Sequence, residues 1–123
     1  MGEQKASFGA FLKEKRRQRE ITLRAMAEMA GVSAGYYCDF ESGRRNPPDK
    51  EILDKMLNVL LVPDEERRMF YDLAGKARAE APPDLPEYIN AYEEVRVALR
   101  LAKDKGDAGI QVWRRVIHML EED

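Results

Sequence analysis

The sequence has very few of the residues on which disulfides and metal sites depend. It contains one cysteine, Cys38, and one histidine, His118. A single cysteine cannot form a disulfide within the chain, and together with one histidine it makes a poor set of metal ligands. We therefore expect no metal, no cofactor and no small-molecule ligand.

Long apolar runs and catalytic signatures are also missing from the sequence. No apolar run approaches the roughly 20 residues of a membrane-spanning helix, and the first residues lack the apolar core of a signal peptide. A Ser-His-Asp order, a glycine-rich phosphate loop and a zinc motif are absent from the sequence. These features predict a cytoplasmic protein that does not contact a membrane and is not an enzyme.

The net charge of −2 hides an uneven distribution of charge along the chain. Residues 1–50 contain ten Lys and Arg against seven Asp and Glu, whereas residues 51–123 contain eleven against sixteen. Phosphate binding depends on local charge, so the basic first part is compatible with a nucleic-acid partner. The basic run over residues 13–19 fits a surface near phosphates, and it equally fits the solvated face of a helix.

Two short helical patterns separated by one glycine occupy residues 22–43. Thr22 can cap the first helix, and Ser33 can cap the second, which starts near Ala34. Gly31 adopts a left-handed conformation at little cost, so the chain can turn sharply between the two helices. On the first helix the small and apolar residues share one face: Met26, Ala27, Met29 and Ala30.

The second helix of this pair has two different sides. At helical spacing, Tyr37, Phe40 and Glu41 fall on one side, which we expect to pack inward. Gly35, Asp39 and Ser42 fall on the opposite side, which we expect to face outward. The pattern is therefore that of a helix-turn-helix.

Three more helices are predicted around this pair. One begins after Ser7, one after Asp49, and one is capped by Asp64 and closed by Gly75. Their apolar residues recur at three- and four-residue steps. In the helix-turn-helix and the helix after Asp49, we expect six residues to be largely buried: Met26, Ala30, Val32, Tyr37, Phe40 and Leu57.

The order of these parts resembles the XRE family, the helix-turn-helix family of phage repressors and Cro, over roughly residues 8 to 75. The residues that carry the resemblance are Thr22, Met26-Ala27, Ala30-Gly31-Val32-Ser33, Tyr36, Glu41-Ser42-Gly43-Arg44-Arg45 and Pro47. The resemblance implies an all-α fold with a five-helix repressor-like domain. It further implies a sequence-specific transcriptional regulator that binds double-stranded DNA as a homodimer.

The resemblance also implies which residues contact DNA. The helix near residues 33–41 would enter the major groove, which makes Ser33, Ala34, Gly35, Tyr36 and Asp39 the candidates for base contacts. Phosphate contacts are expected first from Arg44 and Arg45, and then from Arg24 and Arg19. Thr22, at the start of the first motif helix, completes the predicted set.

Four positions depart from the family pattern. Ala34 and Gly35 have no hydrogen-bonding side chain, and Asp39 is anionic where phosphates would be near. Leu23 stands where many relatives have a phosphate-binding glutamine. The same fold with such a weakened DNA face would also fit a protein-binding adaptor or an antitoxin-like module.

Prolines at positions 82, 83 and 86 predict a connector after a first domain over residues 1–78. In the second part, residues 79–123, one helix is predicted from Glu87 to Lys105 and another near residues 108–120. Two such helices are too few to hold a core of their own. Their apolar faces therefore pack either against a second copy, as a dimerisation arm, or against the first domain, and the sequence leaves both alternatives open.

Overall fold

A computed structural model describes residues 7–122, and this part of the chain is folded into eight helices and no strands. The all-α fold expected from the sequence is confirmed. By its internal contacts the chain divides into two compact units, which separate between Asp84 and Leu85. None of the helices in the described part is long and apolar enough to cross a membrane.

The first unit contains the five predicted helices: α1 (Phe8–Gln18), α2 (Leu23–Ala30), α3 (Ala34–Ser42), α4 (Lys50–Val59) and α5 (Asp64–Arg78). The side chains of Ser7, Thr22, Ser33 and Asp49 each accept the backbone N–H three residues further along, so these four predicted caps are confirmed. Asp64, which was predicted to cap α5, is instead its first residue. An acidic residue there still interacts favourably with the helix dipole.

A single apolar core holds the five helices together. Helix α1 packs against α3 and α5, and α2 packs against α3 and α4. At one end of the core, Phe8 and Phe11 each make an edge-to-face contact with Phe70 at a centroid distance of 6.0 Å. The largest fully buried side chains are Tyr37, Phe40, Phe70, Leu12, Met26, Leu53, Met56 and Leu57.

Most of the predicted core is confirmed, with two corrections. Met26, Ala30, Tyr37, Phe40 and Leu57 are buried, whereas Val32 is only partly buried. Met29 is 49% exposed although it was placed on the apolar face of α2. The buried stripe of α2 is centred on residues 26, 27 and 30, so Met29 lies at its edge.

Gly75 does not end α5, contrary to the prediction. The helix continues to Arg78, and Gly75 is buried within it. A Cβ at this position would lie 2.8 Å from backbone atoms of Glu80, Ala81 and Pro82. The glycine is therefore needed because the segment after α5 folds back closely along the helix.

The second unit contains three helices where the sequence predicted two: α6 (Pro86–Ala91), α7 (Glu93–Asp104) and α8 (Asp107–Glu121). The predicted continuous helix over residues 87–105 is wrong because the chain is extended at Tyr92. Arg96 compensates for the break: its Nη1 donates to the carbonyls of Ile89 at 3.2 Å and Asn90 at 2.6 Å. These are carbonyls that a continuing helix would have to satisfy.

Helices α7 and α8 form a hairpin that is closed by one tight backbone contact. Gly109 is buried, and a Cβ there would lie 2.1 Å from the carbonyl oxygen of Ala102. Within residues 85–122, Ala102 and Gly109 are the buried residues of this unit. Many of its large apolar side chains are exposed: Leu85, Tyr88, Tyr92, Val97, Leu99, Leu101, Ile110, Ile117, Met119 and Leu120.

Candidate nucleic-acid interface

Two left-handed glycines set the limits of α3. Gly31 has a φ of 80° at the end of α2, and Gly43 has a φ of 84° at the end of α3. The hydroxyl of Ser33 accepts the N–H of Tyr36 at 3.0 Å and so fixes the start of α3. The turn predicted at Gly31 is confirmed. Because of this turn, α3 is a separate helix that begins directly after α2.

The two sides of α3 differ as predicted. Tyr37 and Phe40 are buried in the core, and Glu41 lies on the same side. Of the residues predicted on the opposite side, Gly35 and Ser42 are exposed and Asp39 is partly exposed. We call the five predicted base-contacting residues at the start and on the outer surface of α3 the presented face; three of them are exposed and two are partly exposed. These five are Ser33, Ala34, Gly35, Tyr36 and Asp39.

A buried ion pair anchors the inner side of α3 to α1. Arg16 donates from Nε to Glu41 Oε2 at 2.6 Å and from Nη2 to Glu41 Oε1 at 3.1 Å. Its Nη1 donates to the carbonyl of Ile21 at 2.8 Å, and the Tyr37 hydroxyl donates to Glu41 Oε2 at 2.7 Å. One guanidinium thus connects α1, the segment before α2, and α3.

Contacts within this network keep Arg16 and Tyr37 in their protonated forms. The hydrogen bond to Glu41 raises the pKa of Arg16 despite the opposing effect of burial. Burial, followed by the hydrogen bond to Glu41, raises the pKa of Tyr37. Both donors therefore keep their protons, and α3 keeps this anchor over the whole neutral range.

The position of Arg16 corrects the interpretation of the basic run. The sequence grouped it with Lys15, Arg17 and Arg19 as surface charge or as a neighbour of phosphate, but the residue is only 9% exposed. A signal was present, because residues 8, 12 and 16 recur at four-residue steps on one face of α1. Phe8 and Leu12 on that stripe are buried, and Arg16 continues it.

Arg45 lies against α3 on the side of the presented face. Its Cζ is 4.3 Å from the centre of the Tyr36 ring, and its Nη2 is 3.7 Å from Asp39 Oδ2. The edge of the Tyr36 ring packs in turn against Phe40, with the ring centres 5.0 Å apart. The sequence predicted Arg45 as a phosphate contact, and the structure brings it together with two predicted base-contacting residues.

The other predicted residues are at the surface. Arg19, Arg24 and Arg44 are exposed, and Thr22 is exposed beside its cap bond to the N–H of Ala25 at 3.0 Å. Leu23, the departure from the family pattern, is 37% exposed at the start of α2. The cationic side chains of Arg19, Arg24 and Arg44 are therefore accessible to a ligand.

The geometry of α2 and α3 agrees with the comparisons to known proteins. A family model described as a helix-turn-helix domain matches residues 7–70, which is the region of α1 to α4 and the first half of α5. No solved structure matches the chain significantly.

Curated relatives extend the similarity beyond this region. The uncharacterized HTH-type transcriptional regulator RghRB of Bacillus subtilis (strain 168) is 27% identical over 118 residues, which are 94% of this chain and 82% of that protein. The HTH-type transcriptional repressor RghR of the same organism is 31% identical over 98 residues, 76% of this chain and 73% of that protein. The chain belongs to the helix-turn-helix family of DNA-binding transcriptional regulators.

Proposed function

We propose that α3 enters the major groove of double-stranded DNA and that its presented face contacts the base edges. The observation that carries this proposal is the difference between the two sides of α3. Its inner side is fixed to the core by Tyr37, Phe40 and Glu41, while the residues at its start, Ser33, Ala34 and Gly35, are exposed. A helix held in this way can enter a groove about 12 Å wide while its inner side stays packed against the core.

Arg44, Arg24 and Arg19 are the proposed phosphate contacts. All three are exposed, and they belong to the part of the chain with an excess of positive charge. Thr22, at the start of α2, lies close in sequence to Arg24 and belongs to the same proposed set. Contacts of this kind fix the register of a protein on DNA and make its affinity depend on salt.

The second unit is proposed as a dimerisation arm. Ile110 and Ile117 are seven residues apart on α8 and are 49% and 54% exposed, and Val97 and Leu101 form a second apolar stripe on α7. A hairpin with so little buried surface is stabilised when a second copy covers these stripes. The similarity to RghRB spans 94% of this chain and therefore includes the hairpin, which supports a role for it in the same kind of regulator.

The proposed role is therefore binding without catalysis: a homodimer that recognises DNA, with a cytoplasmic location as part of the same proposal. The test is a fluorescence anisotropy titration of a random-sequence duplex at two salt concentrations. We expect binding that weakens steeply with salt, and a slope that falls by about one when Arg44 is replaced by alanine. A chain that binds no duplex at low salt would contradict the proposal.

A further inference from the structure

The backbone after α3 brings Arg45 back toward the helix. The N–H of Gly43 donates to the carbonyl of Asp39 at 3.1 Å, and the N–H of Arg45 donates to the same carbonyl at 3.3 Å. The bond from Gly43 continues the helical pattern, and the second bond keeps the backbone of Arg45 at the C-terminal end of α3, close to Asp39. The side chain of Arg45 therefore starts near Asp39, and from there it reaches the ring of Tyr36.

Tyr36 gives the guanidinium of Arg45 a surface to lie on. The guanidinium carbon is 4.3 Å from the centre of the ring, while the edge of the ring packs on Phe40, which is 1% exposed. A planar guanidinium over an aromatic ring gains a cation–π contact and loses part of its rotational freedom. The position of the Arg45 guanidinium is thus restrained before any ligand binds, through Tyr36 and the buried Phe40 behind it.

Asp39 attracts the guanidinium of Arg45 from a second side but does not accept a hydrogen bond from it. The Nη2 to Oδ2 distance of 3.7 Å is longer than a hydrogen bond, so the contact is an electrostatic attraction. The side chain of Arg45 is 48% exposed, and its N–H groups remain available to a ligand. The attraction also offsets the charge of Asp39, which by itself would oppose the approach of DNA.

We propose that Arg45 is a specificity-determining residue that donates two parallel hydrogen bonds to O6 and N7 of a guanine, with Tyr36 and Asp39 as its positioning residues. The inference rests on the proposed entry of α3 into the major groove. A bidentate contact from arginine to guanine is favoured by a guanidinium that is held in place in advance, and the contact with the Tyr36 ring restrains Arg45 in this way. A phosphate contact requires no fixed plane, and a neighbouring carboxylate would weaken it, so the geometry favours the base over the phosphate.

The experiment begins with selection of binding sites from a random duplex library by the full chain. Affinities are then measured for the selected duplex, for its single base-pair variants and for a random duplex. We expect a G·C pair at one position whose replacement weakens binding by about 5- to 150-fold, the discrimination typical of one bidentate contact. In Arg45→Ala that discrimination disappears, and in Arg45→Lys it decreases, because lysine keeps the charge but not the planar pair of donors.

The neighbouring Arg44→Ala is the matched control, and it should weaken binding to all these duplexes by the same factor. Asp39→Asn should strengthen binding to the random duplex and reduce the discrimination at the same G·C pair, an effect that a purely structural residue would not show. The inference is overturned if Arg45→Ala behaves like Arg44→Ala on every duplex, or if the selected site has no G·C preference that depends on Arg45. A wild-type chain that binds no duplex would instead refute the proposed function, at the selection step and before any variant is compared.

Discussion

The guanidinium of Arg16 binds both carboxylate oxygens of Glu41, 25 residues further along the chain, in a largely buried pair. The side chains are 11% and 7% exposed, so water screens their attraction very little. Because Arg16 also donates to the carbonyl of Ile21, the pair fixes the end of α1, the start of the motif and the end of α3 together. The orientation of the presented face therefore depends on the ion pair between Arg16 and Glu41 on the inner side of α3.

Removal of Glu41 should leave the charge of Arg16 buried without its partner. We expect Glu41→Ala to lower the free energy of unfolding by about 3–5 kcal/mol, the usual cost of breaking a buried pair. The control is Glu80→Ala, which removes a partner of Arg78 from a more exposed pair and should cost about 0–1 kcal/mol. Urea denaturation of both variants measures the difference, and equal costs would show that the buried pair does not stabilise the fold.

Two glycines at the second position of a helix should respond oppositely to the same substitution. A Cβ on Gly9 of α1 would lie 2.4 Å from the carbonyl oxygen of Glu41, so Gly9→Ala must separate α1 from α3, at a cost of about 1–3 kcal/mol. Gly35 of α3 has no atom within 4 Å of the added carbon, so Gly35→Ala should stabilise the fold by about 0.4–1 kcal/mol. Thermal melting checks both, and a stabilising Gly9→Ala would contradict the close packing of the two helices.

Tyr71 should link stability to alkaline pH. Burial, and then its hydrogen bond to Asp54, raises the pKa of Tyr71 to about 12. The unfolded chain releases this proton near pH 10, so the stabilising contribution is complete below about pH 10 and is lost as the pH rises toward 12. We expect the free energy of unfolding to fall less steeply over this interval in Tyr71→Phe than in the wild type.

Absorbance titration of the five tyrosines provides an independent check. Tyr71→Phe should remove one phenol from the group that titrates latest, and Asp54→Asn should move that phenol to lower pH. Equal pH slopes for the wild type and Tyr71→Phe would show that the ionisation of Tyr71 does not contribute to the loss of stability.

The exposed stripe on α8 predicts the oligomeric state. We expect the full chain to be a dimer at micromolar concentration, and Ile110→Glu combined with Ile117→Glu to be a folded monomer, because each charge would be buried at the interface. Gln111 lies on the polar side of α8, so the variant Gln111→Glu is the control and should still be a dimer. Light scattering decides between these outcomes. A monomeric wild type, or a double variant that still dimerises, would contradict the proposed arm.

Local features of the first unit could be predicted from the sequence because each depends on residues a few positions apart. The caps at Thr22 and Ser33, the turn at Gly31 and the two sides of α3 are of this kind. The second helix of the motif therefore lies where the pattern placed it. In the candidate site, the residues on this helix could be predicted for the same reason, because helical spacing alone places them.

Contacts between distant residues could not be predicted in the same way. The pairing of Arg16 with Glu41 is hidden in a run of basic residues, and the stacking of Arg45 on Tyr36 depends on the exact path of the loop after Gly43. At the end of α6, the last carbonyls are satisfied by one long side chain, Arg96, that reaches back from α7. In each case a cationic side chain has several possible partners, and only the tertiary structure selects one.

Amide chemical shifts recorded during a titration with a duplex of the selected sequence test the central claim most directly, because they report contact residue by residue. The account predicts that the largest changes lie at residues 33–39 of α3 and near Arg44 and Arg45, with smaller changes near Arg24. Changes confined to the second unit, or spread evenly over the chain, would contradict DNA recognition by the presented face of α3.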